Sequence, residues 1–108
     1  GDAWAETTVV VMTEFGRTAR LNGTRGTDHG TAGAGFVLGP LLARSAVLAD
    51  WPGLGESELY EGRDLKPTLD TRAVLKGAIA ATFDLTAHQA DRVFPGSDGV
   101  RGLYSMMS

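Results

Sequence analysis

Between residues 14 and 29 the chain gathers Glu14, Arg17, Arg20, Arg25, Asp28 and His29, and from Gly16 to Thr27 it holds three arginines and no acid. An arginine guanidinium is a planar fork of donors that fits the oxygens of phosphate, sulfate or carboxylate. Carboxylates and neutral imidazole are the oxygen and nitrogen ligands that Zn, Mn, Ca or Mg takes, according to their number and geometry. The chemistry to expect is an anion held by Arg17 and a divalent metal approached by Glu14, Asp28 and His29. This stretch offers at most three metal ligands, so a hydrolytic metal site built on it needs more from elsewhere in a longer chain.

Each of these residues also has a structural role open to it. Glu14 can cap a turn or pair with Arg17, and the arginines can be solvated or paired with surface acids. Asp28 can close an Asx-turn, and His29 can be a loop histidine with a hydrogen-bonding partner. His88 has only Asp91 at ligand spacing and reads as a surface residue. Gly33 and Gly35 precede an apolar run, whereas a phosphate-cradling loop follows one, so these glycines and Gly39 are read as turn or packing residues. Trp4, Trp51, Tyr60 and Tyr104 are too scattered for a stacking platform.

The elements that must position the polar stretch follow from its flanks. Thr7 to Met12 is a continuous β-branched run, which reads as a strand buried on both faces in the middle of a parallel sheet. A polar, glycine-rich loop of about twenty residues then leaves its C-terminal end, where open α/β sheets place ligands. Glu14 and His29 should therefore converge within one coordination shell. Gly35 to Gly39 reads as a second short strand stopped by Pro40, and Val47 to Ala49 as a third extended piece before Trp51-Pro52-Gly53. Asp70 is a helix N-cap, and Val74, Leu75, Ala78, Ile79 and Phe83 fall on one face of a helix from Thr71 to about Asp84. That spacing predicts those five residues buried and Arg72, Lys76 and Asp84 exposed. Thr86 with Gln89 forms a capping box for a second helix, which Pro95-Gly96 ends.

Composition narrows the function. Ten basic against thirteen acidic residues give a net charge of −3, so there is no overall positive field for nucleic acid or an acidic membrane. Hydrophobic residues make up 43% and charged residues 21%, which fits a globular chain, and no apolar run is long enough to span a membrane. Without cysteine there are no disulfides, thiolate metal sites or thiol nucleophiles. The chain lacks an initiating Met and a signal-like segment, and its first strong signal comes almost at once, so a piece of something longer is expected. Residues 1–108 then form a single partial domain.

The blocks Val9-Val10-Val11-Met12-Thr13-Glu14-Phe15-Gly16-Arg17-Thr18, Gly26-Thr27-Asp28-His29-Gly30, Gly35-Phe36-Val37-Leu38-Gly39, Asp50-Trp51-Pro52-Gly53-Leu54, Glu61-Gly62-Arg63-Asp64-Leu65 and Val93-Phe94-Pro95-Gly96 together resemble, in order and spacing, the C-terminal portion of the bacterial "domain of unknown function 1501" family. That family is similar to the alkaline phosphatase and sulfatase superfamily. The resemblance implies an α/β fold, a C-terminal fragment of a mostly parallel sheet flanked by helices. It also implies an exported protein, periplasmic or extracellular, that acts on small anionic esters with the help of divalent metal. Glu14-Phe15 sits where the superfamily commonly has an Asp-His metal pair, and His29 where a later histidine lies. Phe15 is no ligand, and the superfamily's nucleophile would lie upstream, so the chain alone is expected to be inactive. The alternative is a non-catalytic envelope binding or assembly protein that keeps the fold. Self-association through Val9 to Met12 and the apolar helix face is a further expectation.

Overall fold

A computed structural model describes residues 2–107. The chain forms two compact units, one made of Gly1–Val11, Phe36–Val47 and Asp70–Ser108, the other of Met12–Gly35 and Leu48–Leu69.

In the first unit, β1 (Val9–Val11) pairs antiparallel with β4 (Phe36–Leu38), setting Val9 opposite Leu38, Val10 opposite Val37 and Val11 opposite Phe36. Successive residues of a strand face opposite sides. Val10 and Val37 accordingly share the half-buried face, while Val9, Val11, Phe36 and Leu38 share the exposed one.

The expectation of a mostly parallel, alkaline phosphatase-like sheet fails here. The described residues form two small antiparallel sheets of two strands each, with no parallel pairing. A continuous apolar run fits both a strand covered on two sides and a ribbon with one open face, and its partner residues lie 25 to 29 positions away, beyond the reach of local pattern. The extended piece expected at Val47 to Ala49 is irregular and exposed.

Helix α1 (Thr71–Phe83) begins as the sequence predicts, with the Asp70 side chain accepting from the Arg72 backbone N–H at 2.9 Å. Helix α2 (Ala87–Val93) carries the full Thr86–Gln89 capping box, and the chain turns after it at Gly96, whose φ of +77° suits glycine. Thr8 and Thr82 hydroxyls meet at 2.7 Å. Because Thr82 Oγ1 donates to Ala78 O at 2.6 Å, Thr8 is the donor between them.

The buried face of α1 differs from the expected one. It consists of Ala73, Lys76, Gly77, Ala78 and Ala80, with Val74, Leu75 and Ile79 half-buried and Phe83 69% exposed. Lys76 is fully buried, where the helical spacing put it outside. Its Nζ donates to Asp91 Oδ1 at 2.7 Å, Ser97 O at 2.8 Å and Val100 O at 2.8 Å, so all three ammonium donors are matched. A charge can lie inside only when so satisfied. Lys76 thus ties α1 to α2 and to the loop that follows, and Leu103 N–H donates to Ala73 O at 2.9 Å to hold the last segment against α1.

In the second unit, β2 (Gly16–Arg17) pairs antiparallel with β3 (His29–Gly30), and bridges run from Arg17 to Ala32 and from Thr18 to Asp64. The stretch expected to be a structureless loop is therefore a short hairpin with its own backbone ladder. Among the described residues, no helix is long and apolar enough to cross a membrane.

Candidate functional site

Three segments mesh through backbone hydrogen bonds to build the region around Arg17. Arg17 N–H donates to Ala32 O at 2.8 Å, Thr18 N–H to Asp28 O at 3.0 Å, Ala19 N–H to Arg63 O at 2.9 Å and Leu65 N–H to Arg17 O at 3.2 Å. Thr31 Oγ1 adds a bond to Leu65 O at 2.9 Å. The 60–65 segment reaches this position through a tight turn in which Glu61 and Gly62 have φ of +53° and +69°. Asp64 is buried there, with its carboxylate taken by Arg63 Nε at 2.8 Å.

Two glycines make the close approach possible. A Cβ on Gly16 would collide with the Ala32 backbone, and one on Gly30 would lie 2.5 Å from the carbonyl carbon and oxygen of Arg17. With Gly16 opposite Gly30, Arg17 stands directly opposite His29. Opposed residues share a face with Cβ atoms roughly 5 Å apart, so the guanidinium and the imidazole leave the ladder side by side, both exposed.

The hairpin loop is closed by Asn22. Its Oδ1 accepts from Thr24 N–H at 2.9 Å, Thr24 Oγ1 at 2.8 Å and Gly26 N–H at 2.9 Å, and its Nδ2 donates to Asp28 Oδ1 at 3.0 Å. Asp28 helps to close the loop by accepting from Asn22, and the turn bonds expected of Asp28 are made by the Asn22 side chain instead. Its backbone N–H also donates to Thr18 Oγ1 at 3.1 Å.

Phe15 lies stacked on His29, with ring centroids 5.0 Å apart and planes 20° from parallel. The turn that presents Phe15 is held by Thr13, whose Oγ1 accepts from Phe15 N–H at 3.1 Å. Glu14 is exposed, and its Oε2 receives a long contact of 3.5 Å from Thr13 Oγ1. Thr13, Phe15, Gly16, Arg17, His29, Gly33 and Ala34 line an open depression of about 350 Å³.

Of the four residues singled out from sequence, the structure brings Arg17 and His29 to one pocket and turns Asp28 toward Asn22. Among the described residues no three His, Cys, Asp or Glu side chains form a group able to hold a metal ion. Glu14, Asp28 and His29 are not such a group by themselves.

The three arginines of the loop divide by partner. Arg20 donates through Nε to Gly62 O at 3.2 Å and lies 3.8 Å from Glu56, whereas the Arg17 and Arg25 side chains have no hydrogen bond or ion pair among the described residues. Arg17 thus combines a backbone bonded on both edges with a guanidinium that has no partner among the described residues. Sequence reasoning missed Phe15 as a site residue because it was weighed only as a ligand. Its place beside Glu14 and Arg17 at the start of the polar stretch was the available signal.

Neither the curated proteins nor the solved structures contain a match to this chain. The family described as "Protein of unknown function (DUF1501)" matches residues 1–94, most of the molecule's length and all of the segments that build the Arg17 pocket, and the chain belongs to that family.

Proposed function

We infer that this chain supplies an oxyanion-binding element to an exported hydrolase acting on small phosphate or sulfate esters. Arg17 grips the tetrahedral anion, and His29 and Phe15 form the adjoining wall. The observation that carries the reading is the placement of Arg17 opposite His29 in a glycine-paired ladder, with the backbone of Arg17 bonded on both edges and its guanidinium without a partner among the described residues. A guanidinium on a backbone held at both edges offers a planar fork of donors to an anion that enters the open pocket. The ester chemistry and the export are drawn from the similarity between the family to which the chain belongs and the alkaline phosphatase and sulfatase superfamily. Calorimetric titration with inorganic phosphate and with sulfate tests the reading. Saturable binding that weakens at least about tenfold in Arg17→Ala, while Arg44→Ala binds as the parent does, is expected. Equal binding by the parent and Arg17→Ala contradicts it.

A non-catalytic role in envelope assembly is favoured by one observation, the open apolar face formed by Val9, Val11, Phe36 and Leu38 on the β1–β4 ribbon. Exposed apolar surface of this kind marks contact sites. Concentration-dependent sedimentation that disappears in Val11→Lys is the expected result for self-association, and a monomer at all concentrations contradicts it.

A further inference from the structure

We propose that Asn22–Gly23 is a self-modification site, at which the Gly23 backbone nitrogen converts the Asn22 amide to a carboxylate, and that the hydrogen bonds of the hairpin loop hold this reaction back until the loop opens. The inference is independent of the anion-binding reading of Arg17.

Gly23 leaves its nitrogen accessible. It is exposed, a Cβ at its position would meet nothing within 4 Å, and its N–H has no hydrogen-bonding partner among the described residues. Once hydroxide has taken the amide proton, the Gly23 nitrogen bonds to Asn22 Cγ and closes a cyclic imide. The Cγ–Nδ2 bond breaks, and Nδ2 takes a proton from water and leaves as ammonia. Water then opens either C–N bond of the imide, so that the chain continues through its ordinary carbonyl or through Cγ. The net change is one water taken up and one ammonia released.

The amide under attack is held at both ends. Asn22 Oδ1 accepts from Thr24 N–H at 2.9 Å, Thr24 Oγ1 at 2.8 Å and Gly26 N–H at 2.9 Å, while Nδ2 donates to Asp28 Oδ1 at 3.0 Å. Asn22 N–H to Gly26 O at 2.8 Å and Arg25 N–H to Asn22 O at 3.2 Å fix the main chain around it. Ring closure needs Cγ turned onto the Gly23 nitrogen and Nδ2 released, so these side-chain bonds must break first. The product cannot restore the closure. A carboxylate at position 22 has no N–H to give, and two ionised carboxylates then stand where the Asn22–Asp28 bond stood. The backbone of Asp28 is bonded to Thr18 on the far side, next to the Arg17–His29 pair.

Mass spectrometry of peptides cut from the whole chain, after incubation folded and in urea at one neutral pH and temperature, follows conversion at Asn22. The folded chain is expected to convert at least about tenfold more slowly, because the bonds to Oδ1 and Nδ2 must open first. Equal rates, or faster conversion in the folded chain, overturn the proposal. Gly23→Ala, which the open space accommodates, should slow conversion in urea by crowding the nitrogen, and an unchanged rate there overturns the assigned nucleophile. In the folded chain Asp28→Ala should raise the rate about two- to tenfold, the worth of one hydrogen bond. Asp28→Asn keeps an acceptor oxygen and should convert as the parent does, folding of both variants being checked by circular dichroism. An unchanged rate in Asp28→Ala, or an equal rise in the two variants, overturns the restraint. Asn22→Asp should exchange its Thr18 and Asp28 backbone N–H with deuterium faster than the parent, and equal protection overturns the loss of closure.

Discussion

Arg17 stands directly opposite His29 across a two-residue ladder whose other pair is Gly16 and Gly30. The geometry makes the glycines part of the site, because a methyl group on Gly30 would enter the Arg17 carbonyl at 2.5 Å. The strands would have to separate, and Arg17 and His29 with them. Gly30→Ala is expected to weaken phosphate binding as strongly as Arg17→Ala does, and to cost about 1–3 kcal/mol in urea unfolding through overpacking. Arg17→Ala should unfold as the parent does, because its side chain has no partner to lose among the described residues. The two variants thus separate positioning from contact.

Burial of Lys76 leads to a second expectation. Replacing it with Met keeps most of the volume but leaves the Asp91 carboxylate and the carbonyls of Ser97 and Val100 without their donor. Losing one partner of a buried ionic cluster costs about 3–5 kcal/mol. Chemical denaturation of Lys76→Met should show a loss of that order, against a change near zero for Lys66→Met, whose side chain is exposed. Equal, small losses in both would mean that the cluster contributes little.

Asp70 gives the chain a pH-dependent contribution to stability. The Arg72 side chain bonds its carboxylate at 2.7 and 3.0 Å and the Arg72 backbone N–H adds a third bond, holding the carboxyl down from 3.8 to about 2. The folded value lies below the unfolded one, so the contribution is complete above about 3.8 and is lost as pH falls through about 2. The pair is partly solvated, and the N-cap bond sets the scale at about 1 kcal/mol. Thermal melts of the parent and Asp70→Ala should differ by a constant amount from neutral pH to about 4, and the curves should then approach each other as pH drops. A gap that is constant down to pH 2 contradicts this.

Local signals in the sequence were reliable, and long-range ones were not. Asp70 at the start of α1 and the Thr86–Gln89 box at the start of α2 were legible because each cap is made by residues two or three apart. The Phe36–Leu38 strand was legible because its apolar residues are bounded by Gly35 and Gly39. Val9 to Val11 gave the right element and the wrong sheet, since nothing in three valines tells an antiparallel ribbon from the centre of a parallel one. Lys76 was misplaced for a similar reason. Its acceptors lie 15, 21 and 24 residues further on, and two are backbone carbonyls, which carry no sequence mark at all.

The site was half legible. Arg17 and His29 stood out by type, whereas their pairing depends on glycines 16 and 30 and on a prop from Leu65 that no spacing announces.

A ¹H–¹⁵N correlation spectrum recorded during titration with inorganic phosphate tests the central claim most directly. The account predicts saturable shifts at Thr13, Phe15, Gly16, Arg17, His29 and Gly33, including the Arg17 Nε–H, and none at Arg44, Arg92 or Arg101. Shifts spread evenly over the exposed arginines, or no saturable shift at Arg17, would contradict it.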